Sequence, residues 1–130
     1  MALAGVSGAG MKTIDLLYPP GLTFWQAVQK GMVPRLKSPA YLQFVSTLPC
    51  CVSGKRPVTV HHMVGHGCEG QGTKTSDLLA IPLAPEYHLP GFPNGIHAIG
   101  QRKWEERYGD QMVFVAQTLL EGVYRGVLKI

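Results

Sequence analysis

A glycine-rich run set between two apolar stretches of strand length constrains this chain more than any other feature. "VTVHHMV", residues 58–64, is β-branched and alternating; "DLLAIPLA", residues 77–84, is a short apolar run; Gly65, Gly67, Gly70 and Gly72 lie in the connection. Both runs read as strands. Gly65, Gly67 and Gly70 also fit G-x-G-x-x-G, and Gly67 to Gly72 followed by Thr73, Lys74 and Thr75 comes within one inserted residue of a P-loop. A dinucleotide fingerprint works only where the glycines lead from a strand straight into a helix, because the pyrophosphate rests on that helix N-terminus. Here the loop leads into a second strand, and Thr73 displaces Lys74 from the P-loop position. The glycines are a flexible connection, and the nucleotide-binding folds are set aside.

The remaining punctuation predicts short elements around this pair. "TFWQAVQKG" offers Thr23 as N-cap, Gln26 at capping-box spacing and Gly31 as the stop, which predicts a short helix. "SPAYLQFVSTL" places Ser38 as cap and Pro39 at the first helical position, with Tyr41, Leu42 and Val45 on an apolar face. "HLPGFPNG" is too rich in Pro and Gly to be regular, and "QRKWEERYG" reads as a helix closed by Gly109. In "QMVFVAQTLLEGVYRGVLKI", Met112, Val115, Leu119, Val123 and Val127 recur at helical spacing and predict a final helix packed on the core.

At 130 residues and 45% hydrophobic the chain can bury one core, so a two-lobed nucleotide enzyme does not fit. The expected fold class is α+β, a single domain, with residues 1–37 as an N-terminal arm carrying a short helix and residues 38–130 as the functional unit. "MALAGVSGAGMK" lacks both a basic n-region and a long apolar core, and no stretch reaches membrane-spanning length. Cys50, Cys51 and Cys68 make no even disulfide framework, which points to a reducing cytoplasm. Between Leu16 and Cys68 stand Lys30, Arg35, Lys37, Lys55 and Arg56 without a single Asp or Glu, a distribution compatible with a polyanionic partner.

All five histidines, His61, His62, His66, His88 and His97, fall within 37 residues around the two predicted strands, and such a gathering invites a metal. Neighbouring side chains leave a strand in different directions, so His61 and His62 can divide the labour, one facing a cation and the other a water. Phosphodiester hydrolysis needs that division: a cation to neutralise charge on phosphate and leaving oxygen, and a neutral imidazole to take the proton of the attacking water.

The segment from Leu48 to Gly109, with its pattern "HH…G.G…K.SD…IPL.PE.H…G.H..G...WE..YG", resembles the bacteriophage recombination-enhancement nucleases, RecA-dependent members of the HNH (ββα-metal) endonuclease superfamily. The resemblance covers about half the chain. It implies a small HNH-type ββα-metal finger flanked by helices and metal-dependent cleavage of DNA. Carried over by position, it makes His61, His88 and His97 the metal ligands, His62 the general base, and Asp77 the counterpart of the superfamily's middle Asn that orients the base. Lys55, Arg56, Lys74, Arg102 and Lys103 become candidate phosphate contacts; His66 matches no role. The implied cofactor is one divalent ion. Three imidazoles suit Zn, Ni, Co or Mn better than Mg, which prefers oxygen. The implied partners are DNA, single-stranded or in recombination intermediates, and a RecA-type recombinase filament. The alternative is a nucleic-acid-binding protein with an HNH-like fold and no catalytic activity, for which a buried, closed-off His62 would speak.

Two departures from the family pattern carry structural expectations. The superfamily's nearby structural zinc, held by two knuckles, has Cys50 and Ser53 at one knuckle here and Ala84 and Tyr87 at the other, so one ligand of four remains and a buried Tyr87 ring is expected to fill the space. His88 and His97 are also nine positions apart, and Pro90, Gly91, Pro93 and Gly95 prevent one helix from carrying both.

Overall fold

The structure is a computed structural model and describes residues 13–15, 26, 36–65 and 76–129. Its elements run β1 (Ile14–Asp15), α1 (Pro39–Ser46), β2 (Thr59–His62), a 3-10 turn (Asp77–Leu79), β3 (Ala80–Leu83), α2 (Pro85–His88), α3 (Ile96–Ile99), α4 (Gln101–Tyr108), α5 (Gln111–Tyr124) and β4 (Leu128–Lys129). The architecture is α+β in one small domain. Among the described residues no helix is long and apolar enough to cross a membrane.

β2 and β3 pair antiparallel, with Thr59 opposite Leu83, Val60 opposite Pro82, His61 opposite Ile81 and His62 opposite Ala80. One further backbone bond extends the pairing past the His62 end of the ladder, Met63 N–H to Leu79 O at 3.0 Å, and the Cys51 amide, from the segment before β2, bonds Pro82 O at 3.0 Å. Pro82 lacks the amide hydrogen, which a two-stranded sheet tolerates because each strand is an edge. All four residues of β3 are buried, as its continuous apolar sequence requires. The predicted strand over 77–84 begins three residues late, because the Ser76 hydroxyl accepts from the Leu78 amide and caps a 3-10 turn first.

Helix α1 starts where Ser38 and Pro39 predict, with the Ser38 hydroxyl accepting from the Tyr41 amide at 3.1 Å, and it buries Tyr41, Phe44 and Val45. Helix α5 buries Val115, Ala116, Thr118, Leu119 and Gly122. Gly122 lets the helix approach closely, since a Cβ there would stand 3.0 Å from the Leu128 side chain. These faces join Trp104, Ile81, Leu83, Met63 and Ile96 in one core.

The expectation of a helix running to the C-terminus is corrected. Helix α5 ends at Tyr124, where Gly126 adopts φ +78 and its amide bonds Val123 O while the Val127 amide bonds Gly122 O. This Schellman arrangement stops the helix, and Val127 is buried by the turn and strand that follow instead of by the helical stripe. Strand β4 pairs in parallel with β1. Residues 14–15 of the expected N-terminal arm therefore lie in a sheet, and Leu36 of the same stretch packs against the core and bonds Ser76 and Asp77. Of the helix predicted from Thr23, only Gln26 is described, and it is helical; the rest lies outside the described residues.

Candidate functional site

The alternation of β2 separates the histidines. Thr59 and His61 project to one face and His62 to the other. Beyond β3, Pro85 at the first position opens the single turn α2, which ends on His88. The segment 89–95 then folds back by turns, Phe92 N–H to Leu89 O and Gly95 N–H to Phe92 O, and α3 begins at Ile96. Only glycine fits at Gly95, where a Cβ would stand 2.1 Å from the Leu89 carbonyl oxygen. The two one-turn helices were not legible in the sequence. The prolines and glycines between them fold the chain so that His97 comes back over His88.

His61, His88 and His97 converge. Their ligand atoms all lie within 4.8 Å of one another, and their ring centres are 4.8, 5.2 and 5.0 Å apart for the pairs 61/88, 61/97 and 88/97. Three imidazoles on a tetrahedral zinc at about 2.0–2.1 Å would hold their ring centres about 5.2 Å apart, taking about 1.1 Å from nitrogen to ring centre. The three rings already have that spacing. His61 is buried, His88 half-buried and His97 exposed, so the cluster is closed on the β2 side and open to solvent at His97. Burial, together with the neighbouring histidines and against the pull of a Gln111 hydrogen bond, lowers the His61 pKa to about 4. Burial and the charges His97 and His62 would carry lower that of His88 to about 4 as well. Both rings are neutral at pH 7 and have lone pairs to give.

On the other face, His62 Nε2 stands 2.9 Å from Asp77 Oδ1. Asp77 is buried, and its second oxygen accepts the Ser38 amide at 2.6 Å. Burial alone would raise its pKa, but the bonds from His62 and Ser38 and the nearby Lys37 charge outweigh it and hold the carboxyl below the usual range. An ionised carboxylate only accepts, so Nε2 of His62 carries a hydrogen, and in the neutral ring the lone pair is on Nδ1. The His62 side chain is 36% exposed, so the ring is in part open to solvent.

Polar support around the cluster was missed in the sequence. Gln111, fully buried at the start of α5, accepts from His61 Nε2 at 2.9 Å, and Glu105 of α4 accepts from the Gln111 side chain at 3.1 Å and from its backbone amide at 2.9 Å. Gln101 in turn bonds Glu105, and its side chain lies where a Cβ on Gly65 would fall, 2.7 Å away; Gly65 also has φ +78. Thr59 bonds His88 Nδ1 at 2.6 Å. Its place two residues before His61, on the same strand face, was the available signal. For Gln111 it was a polar residue opening an otherwise apolar helical stripe.

Of the candidate phosphate contacts, Lys55, Arg56, Arg102 and Lys103 are exposed, with Arg56 Nε donating to Thr47 O at 3.1 Å, while Lys74 lies outside the described residues, as does His66. Cys50, Ser53, Ala84 and Tyr87 do meet. Cys50 is buried, and its sulfur accepts from the backbone of Ala84, Ser53 and Val52 and from the Ser53 side chain; these bonds outweigh burial and lower the thiol pKa. Tyr87 sits beside it, packed edge-on against Tyr108 with ring centres 5.2 Å apart. Its ring is half-buried, which corrects the expectation of a fully buried plug.

Fold and site together define a small α+β domain with a three-histidine pocket on one strand face and a carboxylate-held histidine on the other. The chain belongs to the family described as "Protein of unknown function (DUF968)", whose model matches residues 20–126. A curated relative, "Uncharacterized protein YdfU" of Escherichia coli (strain K12), is 33% identical over 88 residues. The match covers 68% of this chain and 24% of the relative, so the chain spans about a quarter of that protein's length. No solved structure matches.

Proposed function

We propose that the domain is an HNH-type, metal-dependent endonuclease that hydrolyses DNA phosphodiesters, working in the cytoplasm, where Cys50 and Cys51 stay reduced as free thiols. The observation that carries this reading is the partition made by two adjacent residues. His61 enters a pocket with His88 and His97, and His62 turns the other way onto a buried carboxylate. His62 nevertheless stays near enough for its charge to act on both His61 and His88, and we take one phosphate to reach both sides of the strand end.

Three protein nitrogens with an open side fit a catalytic site, which keeps a coordination position for substrate. When bound there, one divalent ion (Zn, Mn, Ni, Co or Mg) supplies positive charge to the phosphate and the leaving oxygen. His62 acts as general base. Its Nδ1 takes a proton from water as the water oxygen bonds phosphorus and the bond to the leaving oxygen breaks. Asp77 fixes the ring so that this nitrogen is the one presented, and stabilises the imidazolium that forms. Lys55, Arg56, Lys74, Arg102 and Lys103 are the proposed cationic contacts to the backbone. The solvent access of His62 supports the nuclease over a binding module with a closed-off His62.

The test is incubation of labelled single- and double-stranded DNA with the protein across these metals, with and without a RecA-type recombinase filament. Cleavage that needs metal and disappears in His62→Ala is expected. Metal-loaded protein that binds DNA and never cuts it would leave the non-catalytic reading in its place.

A further inference from the structure

Hydrogen bookkeeping around the pocket determines which nitrogen each buried ligand offers. Gln111 has its amide orientation set by groups other than histidine. Its Nε2 lies 3.1 Å from Glu105 Oε2 and 2.9 Å from the Val64 carbonyl, both acceptors, while its Oε1 lies 3.1 Å from the Val64 amide nitrogen, a donor. The oxygen must therefore face His61, and an acceptor 2.9 Å from His61 Nε2 requires that nitrogen to carry the hydrogen. Thr59 works the same way from the opposite side. Its single hydroxyl hydrogen points to the Leu83 carbonyl at 2.7 Å, so toward His88 Nδ1, 2.6 Å away, the oxygen can only accept. His88 thus carries its hydrogen on Nδ1.

We infer that Gln111 and Thr59 are positioning residues that lock His61 and His88 in opposite tautomers, so that His61 offers Nδ1 and His88 offers Nε2 to the cation. This deepens, and rests on, the reading of the cluster as a metal centre. The bonds do two jobs. They stop each ring from rotating its protonated nitrogen into the pocket, and by accepting the ring hydrogen they strengthen the other nitrogen as a donor. The lock on His61 reaches further than its own contact, because Gln111 is held by Glu105 on α4 and by both backbone groups of Val64 just beyond β2. The start of the glycine connection, α4 and α5 are thereby tied to one ligand atom.

Long-range proton–nitrogen correlation spectra of the metal-free, histidine-labelled protein at pH 7 test the assignment directly. His61 is expected as the Nε2–H tautomer and His88 as Nδ1–H in the wild type. Thr59→Val keeps the shape and removes the acceptor, so His88 should become a mixture; Thr59→Ser should restore the Nδ1–H form. Cobalt affinity, measured by chelator competition, should fall about 10- to 100-fold in Thr59→Val and in Gln111→Met and stay near wild type in Thr59→Ser. The opposite tautomer at either ring in the wild type overturns the inference whether or not Gln111→Met folds. So does an unchanged His88 tautomer in Thr59→Val. Wild-type protein with the expected tautomers and no cobalt binding would overturn the metal centre itself, which separates the two failures.

Discussion

Replacing Asp77 with alanine removes the group that joins the proposed base to the helical frame. One carboxylate oxygen takes the His62 hydrogen at 2.9 Å and the other takes the amide of Ser38, the cap of α1, at 2.6 Å. A hydrogen bond to a charged group is worth about 1.5–3 kcal/mol net, and water entering the vacated space recovers part of two such bonds, so Asp77→Ala should cost about 2–4 kcal/mol. For a chain of this length that is a melting temperature lower by about 10 °C. The sign of the pH dependence follows from the depressed pKa. The carboxylate's contribution is fully present above the unfolded value of 3.8 and is lost as pH falls through the lower folded value. The gap between wild type and variant in urea unfolding should therefore shrink as pH falls below 3.8. Asp77→Asn should lose a similar amount, because its NH2 group must face either the Ser38 amide or the His62 ring hydrogen. Cleavage should drop about 10²-fold in both, as His62 loses its orientation. A penalty below 0.5 kcal/mol, roughly the scatter of ordinary surface substitutions, or one that does not change down to pH 3, would refute the reasoning.

His62→Ala should lower cleavage roughly 10²- to 10⁴-fold while metal content and DNA affinity stay near wild type, as judged by single-turnover kinetics and metal analysis. EDTA should abolish cleavage and leave the melting temperature within a few degrees, because the core is built by Trp104, Tyr41 and their neighbours without a ligand; unfolding on chelation would contradict it. With the His61 and His88 pKa values at about 4, protons compete for these two rings only near and below that pH, so their share of cobalt affinity should hold down to about pH 5 and then fall. Tyr87→Ala should cost about 2 kcal/mol by thermal unfolding, since the half-buried ring gives up its packing and one edge-on aromatic pair; a cost above about 4 kcal/mol would mean that the ring fills the space beside Cys50 as a buried plug.

The parts of this molecule that obey local rules could be read from the sequence. Ser38 and Pro39 start a helix because the cap and the fixed φ act within four residues, and Gly109 ends one for the same reason. The placement of His62 against Asp77 followed from family resemblance, and the pairing at 2.9 Å is physically simple once the 3-10 turn sets Asp77 beside the strand end. What escaped was decided at long range. Gln111 meets His61 across 50 positions and Glu105 across six, through contacts that no periodicity encodes. The single turns α2 and α3 escaped because four residues carry too little propensity signal, and burial of Ile96 and closure at Gly95 hold them instead. Gly126 had the right composition for a stop, but the apolar spacing running through Val127 masked it.

The register of β2 on β3 makes the site an odd-and-even code. His61 and His62 differ by one position, and a strand reverses its face at each position, so sliding β2 by a single residue would bring either His62 to the cluster with Met63 against Asp77, or His61 to Asp77 with Val60 in the cluster. In either slip one of the two places loses its imidazole to an apolar side chain. The bond just past the ladder, from the Met63 amide to Leu79 O, holds the strand against such a slip. Length changes should accordingly divide into two kinds. A residue added within the 66–75 connection leaves the parity intact, whereas one added between Thr59 and His61 turns every later residue of the strand to its opposite face, the buried Met63 included, and so disturbs site and core together.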